Sequence, residues 1–164
     1  MVVLRPTARL AAKAHLRLAD SPFQSTTRLG DWYAIDLSLG RHRLVVSVSE
    51  LSRLAVVMNA APYASIPERL PAAVSKVLHH IGAAPQVIER EIAEMGTIAV
   101  AKTRNRSVVG TMNEYVHYLR TMQELEGGGA EPDLLTISAA LSRFVCMTME
   151  DKFPKTAALR LLSA

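Results

Sequence analysis

Alternating apolar and polar positions dominate the first third of the chain and predict strands there. Segment Trp32–Leu39 alternates along its whole length, and residues 43–49 and 54–59 continue the pattern. Gly40 and Arg41 separate the first two segments, and a glycine in the first position favours a type II′ hairpin turn. We therefore predict a three-strand antiparallel meander with one well-buried face.

Apolar positions spaced three or four residues apart predict helices on both sides of this meander. Thr7 is a good N-cap, so the first helix is expected over residues 8–18. Ser65 and Glu68 have the spacing of a capping box, with Pro67 early in the helix that follows. Later helices are predicted over residues 65–82, 85–95, 107–125 and 133–147 and from Pro154, and further short strands over residues 1–5 and 97–101.

These elements together predict an α+β fold. The expected sheet is small and mostly antiparallel, with the meander and one or two further strands, and four to five helices pack on one of its faces. With 164 residues, the chain has the size of one domain, which we place at residues 1–164. Its part 133–164 is predicted to be a helical C-terminal segment after the glycine-rich stretch 127–129.

Composition narrows the class of protein. The longest uncharged run, residues 54–67, has 14 residues, whereas a membrane span needs about 20, so no membrane segment is expected. Cys146 is the only cysteine, which excludes an internal disulfide and a cysteine-based zinc site. We therefore expect a cytoplasmic protein whose single thiol, surrounded by apolar residues, is buried and unreactive.

Positive charge is concentrated in two parts of the chain, which has a net charge of +4. Residues 1–60 hold eight Lys or Arg and four Asp or Glu, and residues 101–125 hold four and two. Such an excess suits contact with phosphate or with an acidic partner, but it falls short of a dedicated nucleic-acid-binding domain.

The strongest candidate site lies where a predicted strand ends and the longest predicted helix begins. Free N–H groups and the helix dipole favour an anion at such a point. The residues expected to bind a phosphate, a nucleotide or a nucleic-acid backbone are Lys102, Arg104, Asn105, Arg106, Ser107 and, on the helix behind them, Asn113. The alternative is structural: Ser107 caps the helix, and Arg106 and Asn113 hold the loop by hydrogen bonds.

Two other features have a functional and a structural interpretation. Arg5, Arg9, Lys13 and Arg17 are spaced four apart and would form a basic stripe on a helix, for phosphates or an acidic partner. Such a stripe is more often only a solvated face. Trp32, the sole tryptophan, would either stack a base or line a pocket, or pack beneath the first helix.

No catalytic constellation stands out in the sequence. It contains no H-E-x-x-H motif, no G-x-S-x-G motif and no P-loop, and His79 and His80 are adjacent and so do not face one ligand. No catalytic residue, metal site or cofactor is expected. His117 is the only plausible general acid or base for an enzyme acting on a phosphate-bearing substrate, with Arg104 and Arg106 as phosphate clamps.

Two strings carry a family resemblance: LGDWYA at residues 29–34 and AKTRNRSVVGTMN at residues 101–113. They resemble an uncharacterised bacterial domain family with the signature AKT-x-NRSV-x-G-S-MN, over roughly residues 1–125. The family's common Asn after WYA is replaced here by Ile35. The resemblance implies an association with plasmid and insertion-element passenger proteins, and it implies no activity.

The sequence thus leads to one functional hypothesis and two alternatives. The first is a mobile-element-type binding or regulatory module that engages nucleic acid or an acidic protein through residues 102–107. An enzyme would instead require His117 and this loop to share a concave pocket. A toxin–antitoxin or counter-defence partner would present an exposed apolar patch.

Overall fold

The computed structural model describes residues 1–20, 23–129 and 131–164, and a five-stranded sheet forms its centre. The strands are β1 (Val2–Pro6), β2 (Trp32–Leu39), β3 (His42–Ser49), β4 (Ala55–Asn59) and β5 (Ile98–Val100). Their order is β4-β3-β2-β1-β5. The pairs β2–β3 and β3–β4 are antiparallel, whereas β1 is parallel to both β2 and β5. The predicted α+β fold is confirmed, and its sheet is mixed.

The meander lies where the alternation predicts it. Leu39 pairs with His42, so Gly40 and Arg41 alone connect β2 to β3. The φ angle of Gly40 is +57°, whereas Arg41 is not in the left-handed region. This combination is typical of the predicted type II′ turn, whose first central residue alone requires a positive φ.

Among the described residues six helices surround the sheet, and the sixth is the one expected to start at Pro154. They are α1 (Ala8–Lys13), α2 (Ile66–His80), α3 (Pro85–Glu94), α4 (Arg106–Glu126), α5 (Leu134–Leu141) and α6 (Pro154–Ser163). A 3₁₀ turn at Tyr63–Ser65 precedes α2. Helix α5 ends before its predicted end near residue 147, because the chain then turns back so that the Cys146 N–H bonds to the Lys152 carbonyl.

Helix α1 is shorter than the predicted 8–18, and its C-terminal turn explains why. His15 has a φ of +52°, a left-handed conformation that an α-helix cannot continue through. The Leu16 N–H bonds to the Ala11 carbonyl and the His15 N–H to the Ala12 carbonyl. This pair of hydrogen bonds defines a Schellman motif, here with histidine in the place that glycine usually takes.

Two predicted helix starts are also corrected. Ser65 makes no capping hydrogen bond to α2; its hydroxyl donates to the Pro62 carbonyl and accepts from Arg69 Nε. Helix α4 is capped by Asn105 rather than Ser107, because the Asn105 side chain accepts from the backbone of the first turn.

Helices cover both faces of the sheet, not one. Successive residues of β2 point to opposite sides, so Trp32 and Ala34 join one core, which we call core 1, and Tyr33 and Leu37 join the other, core 2. Core 1 is completed mainly by α2, α3 and α6, and core 2 by α4 and the end of α5. Because the central strands are buried on both faces, the more polar positions of the alternating pattern also face a core and not solvent.

Candidate functional site

Loop 101–105 connects the edge strand β5 to α4 and lies at the carboxyl ends of the parallel strands β1 and β5. The Ala101 N–H bonds to the Leu4 carbonyl, which fixes the start of the loop against β1. Helix α4 then begins at Arg106 and packs on β2 and β3. Ligands of α/β sheets often bind outside the carboxyl ends of parallel strands, so the position itself is suited to a site.

A buried arginine, Arg5, holds this loop from below. Its Nε lies 2.5 Å from Asp31 Oδ2, and both side chains are almost completely buried. Its Nη1 donates to the Lys102 carbonyl at 2.6 Å, and its Nη2 to the Phe23 carbonyl at 3.1 Å. One guanidinium therefore joins β1, the residue before β2 and the loop.

Asp31 is the acceptor at the centre of the same network. Its Oδ1 accepts from both the backbone N–H and the hydroxyl of Ser25, at 3.1 and 2.7 Å. Its Oδ2 accepts from Arg104 Nη2 at 3.2 Å as well as from Arg5. Since four donors surround one carboxylate, its buried charge is well compensated.

Asn105 fixes the other end of the loop. Its Oδ1 accepts the N–H groups of Ser107 and Val108 at 3.0 and 3.4 Å, which satisfies two donors of the first helical turn. Its Nδ2 donates to Glu50 Oε1, and its own N–H donates to Tyr33 Oη, both at 3.3 Å. Burial, reinforced by the Glu50 carboxylate, raises the pKa of the Tyr33 phenol, which therefore stays neutral.

Arg53 approaches the start of α4 from the β3–β4 turn. It is only 9% exposed, its Nη2 lies 3.2 Å from Ser107 Oγ, and its Nη1 donates to the Glu50 carbonyl. Its Nε is buried and has no partner among the described residues. Burial lowers the pKa of the guanidinium, and nearby groups, among them the Glu50 carboxylate, oppose this shift.

The basic side chains of the loop remain accessible above these anchors. Lys102 is 61% exposed and pairs with Asp20 at 2.7 Å, and Arg104 is 43% exposed beside Asp31. Arg106 occupies the first position of α4, is exposed, and forms no ion pair with any described residue. The structural alternative therefore holds for the cap of α4, although Asn105 and not Ser107 supplies it. It does not hold for Arg106, which does not fasten the loop.

Some predicted site residues are not brought to the loop. Asn113 is exposed on α4 and follows Asn105 by eight residues, which corresponds to roughly 12 Å along a helix axis. The basic stripe does not form. Arg5 belongs to β1 and is buried, and Arg17 follows the end of α1. Arg9 and Lys13 both pair with Asp36, at 3.4 and 2.5 Å.

Trp32 and Cys146 lie inside the molecule. Trp32 has no exposed surface and belongs to core 1 together with Leu10 of α1, which agrees with packing beneath the first helix and not with base stacking on the surface. Cys146 belongs to core 2, and its Sγ lies 3.5 Å from Tyr115 Oη. Burial raises the pKa of this thiol.

Residues that the sequence analysis missed supply most of the anchoring: Asp31, Tyr33, Glu50 and Arg53. Asp31 lies inside the LGDWYA string, next to Trp32, so that string held a usable signal. Arg53 carried a weaker signal, as a charged residue between Ser52 and Leu54 close to two apolar strands.

A groove lies at the other end of β2, away from the loop. It has a volume of about 690 Å³ and is lined by the β2–β3 turn, the second half of α4 and the start of α5. None of the residues 102–107 lines it, and neither does His117. His117 is exposed and follows Ser107 by ten residues, roughly 15 Å along α4.

Among the described residues, no group of three or more His, Cys, Asp or Glu side chains is arranged to hold a metal ion. In the same ranges, none of the helices combines the length and the apolar character that crossing a membrane requires.

Comparison with known proteins identifies a family and no activity. No curated protein matches the chain, and no solved structure matches it. One family model, described as a domain of unknown function (DUF6933), matches residues 3–157. This match extends from within β1 to the start of α6, and it therefore includes every anchor of the loop from Arg5 to Ser107. The chain belongs to the DUF6933 domain family.

Proposed function

We propose that the protein is a binding or regulatory module that engages an anionic ligand, nucleic acid or an acidic protein, through residues 102–107. The observation that carries this proposal is the contrast between the backbone and the side chains of the loop. Arg5 and Asn105 tie its two ends to the sheet, whereas Lys102, Arg104 and Arg106 extend into solvent. Cations held on a fixed backbone lose little freedom on binding, which favours recognition.

The proposal also includes a single α+β domain, a cytoplasmic location and an association with plasmid or insertion-element proteins. A protein with these properties would be exposed to nucleic acid. Three exposed cations within a five-residue stretch suit contact with successive phosphates. The small net charge of +4 predicts moderate affinity that falls as salt rises.

Geometry gives less support to an enzyme. A general acid or base must come within hydrogen-bond reach of the reacting atom. Because His117 lies roughly 15 Å along α4 from the loop, it does not share a pocket with Arg104 and Arg106. His117 therefore cannot act as the general acid or base for a phosphate held by Arg104 and Arg106.

One observation favours the protein-partner alternative as a second candidate. Three large apolar side chains are exposed in the segment between α5 and α6: Val145 at 48%, Met147 at 76% and Phe153 at 42%. A contiguous exposed apolar patch marks a protein interaction site, and these three side chains come from one stretch of nine residues. A toxin–antitoxin or counter-defence partner would use such a surface.

The test of the leading proposal is a double substitution, Arg104→Ala with Arg106→Ala. Binding of a labelled single-stranded or double-stranded oligonucleotide, followed by fluorescence anisotropy at several salt concentrations, should weaken and depend less steeply on salt. The matched control is Arg120→Ala with Arg143→Ala, which removes the same charge from exposed positions elsewhere. If both double variants lose affinity equally, only net charge matters and the loop is not the site.

The protein-partner candidate is tested separately by Met147→Asp, which adds a charge to the exposed apolar segment. A partner that binds there should dissociate from this variant while oligonucleotide binding is unchanged. Oligonucleotide binding by the wild type would favour the leading proposal. If the wild type binds no oligonucleotide and Met147→Asp loses a protein partner, the protein-partner candidate is favoured.

A further inference from the structure

Arg53 is a buried arginine near the loop that forms no ion pair with any described residue. Its acceptors are neutral: the Glu50 carbonyl and the Ser107 hydroxyl. Its Nε has no partner, and the ion pairs among the described residues do not include Arg53. By contrast Arg5, the other buried arginine, pairs directly with Asp31. Buried charges in proteins are normally paired, whereas the only carboxylate found near Arg53 among the described residues, that of Glu50, forms no ion pair with it.

The place where Arg53 meets the start of α4 receives positive electrostatic potential from two further sources. Arg53 Nη2 lies against the first turn of α4, where the helix dipole is positive. Arg106 begins that turn, is exposed and has no described ion-pair partner. The first turn of α4 therefore has a buried arginine against it, the positive end of the helix dipole and an exposed arginine at its first position.

Ser107 provides a donor that faces outward. Its hydroxyl accepts from Arg53 and, among the described residues, donates to no acceptor, and the residue is exposed. Asn105 already satisfies the N–H groups of Ser107 and Val108, so side chains and not these amides would recognise a ligand.

We propose that a phosphate group binds at the first turn of α4, between the Ser107 hydroxyl and the Arg106 guanidinium, with Arg53 supplying the buried charge beneath. This inference rests on the proposed function, since the same loop engages the anion, and it names the group that is recognised. Phosphate has more acceptor oxygens and more charge than a carboxylate, so it satisfies a hydroxyl and an arginine fork together. An acidic protein surface would satisfy them less well.

The first measurement uses inorganic phosphate as the probe. The thermal unfolding midpoint of the wild-type protein should rise with phosphate concentration, compared with sodium chloride at equal ionic strength, because a ligand that binds the folded state stabilises it. Ser107→Ala should weaken phosphate binding about tenfold. No rise in the wild type, or an equal rise in Ser107→Ala, overturns the inference.

Ser107→Asp is the sharper variant, because it supplies the missing anion covalently. A carboxylate at the second position of α4 comes within reach of Arg53, so the midpoint should rise without phosphate and the phosphate-dependent rise should disappear. Gln86→Asp is the matched control, since it occupies the second position of α3, where the N-cap is Ala84. This control carries the ordinary helix-dipole effect and should keep the phosphate response.

The source of the phosphate is distinguished with a short single-stranded oligonucleotide, with and without a 5′-phosphate. Tighter binding of the phosphorylated form identifies a terminal phosphate, and equal binding identifies the phosphates of the backbone. Either result supports the inference if Ser107→Asp removes the binding. If Ser107→Asp leaves it intact while Arg104→Ala with Arg106→Ala weakens it, the proposed function stands and this inference fails.

Discussion

At the scale of single residues, the Arg5–Asp31 pair is the most consequential contact, because both members are buried and both hold the candidate loop. Asp31→Ala leaves the Arg5 guanidinium without its carboxylate. Breaking a buried pair in this way costs about 3–5 kcal/mol, so we expect a large fall in the free energy of unfolding. Urea denaturation followed by circular dichroism measures it.

Asp20→Ala is the control for this prediction. Asp20 also pairs with a cation, Lys102, but the two side chains are 79% and 61% exposed. Solvent screens such a pair, so its removal should change stability hardly at all. A similarly small effect of Asp31→Ala would mean that Arg5 finds another partner.

Glu91 provides a residue-scale prediction about pH. Burial raises the pKa of its carboxyl, although the N–H groups of Arg28 and Leu29 donate to it and oppose the rise. The folded state therefore holds the proton more tightly than the unfolded chain does. The stability linked to this group is complete below the ordinary value of 4.5 and is lost as the pH rises through the folded-state pKa.

Glu91→Gln removes this titration and leaves the other groups in place. We therefore expect the stability of the wild type relative to Glu91→Gln to fall as the pH is raised above about 4.5. Urea denaturation of both proteins between pH 4 and pH 7, about the range in which carboxyl groups titrate, gives this difference directly. A difference that rises with pH would mean that the two N–H donors outweigh burial.

At the scale of elements, sequence periodicity predicted where most helices and strands lie, but not where each one stops. The strands of the meander are fixed by alternation and by the Gly40 turn, both of which are local signals. The end of α1 depends on His15 in a left-handed conformation, and histidine carries no strong signal for that role. Helix ends are therefore the least predictable feature when glycine is absent.

This turn makes a prediction for α1. His15→Gly relieves the left-handed conformation at φ +52° and should stabilise the protein by about 1 kcal/mol or less, because glycine also gains freedom in the unfolded chain. The thermal unfolding midpoint should rise accordingly. His15→Ala is the control and should give no increase, since alanine has the same Cβ as histidine. An equal rise in both variants would point to a cost of the imidazole rather than of the backbone.

At the scale of the whole molecule, the limits of sequence interpretation are set by distance along the chain. The loop 102–107 was identified locally, from cations between a strand and a helix. Its anchor Arg5 is 97 residues from Lys102, and Arg53 is 54 residues from Ser107. Such contacts arise from the β5–β1 pairing and from packing of α4 on the sheet, which no local pattern encodes.

The two cores share one sheet, and this coupling leads to a prediction about Cys146. The thiol is 5% exposed in core 2, and burial raises its pKa, so little thiolate is present at neutral pH. Labelling of the native protein by a thiol reagent should therefore be slow and should require opening of core 2. Because Cys146 is the only cysteine, the labelling rate reports on this position alone.

Asp31→Ala tests whether that opening is global. Asp31 precedes β2 and holds Arg5 of β1, whereas Cys146 lies in the segment after α5. If labelling requires global unfolding, the substitution should accelerate it about tenfold for each 1.4 kcal/mol of lost stability, provided that opening and closing are fast relative to labelling. Stopped labelling reactions analysed by mass spectrometry give the rates, and urea denaturation gives the stability. An unchanged rate in Asp31→Ala would show that Cys146 is reached by local opening between α4 and the segment after α5.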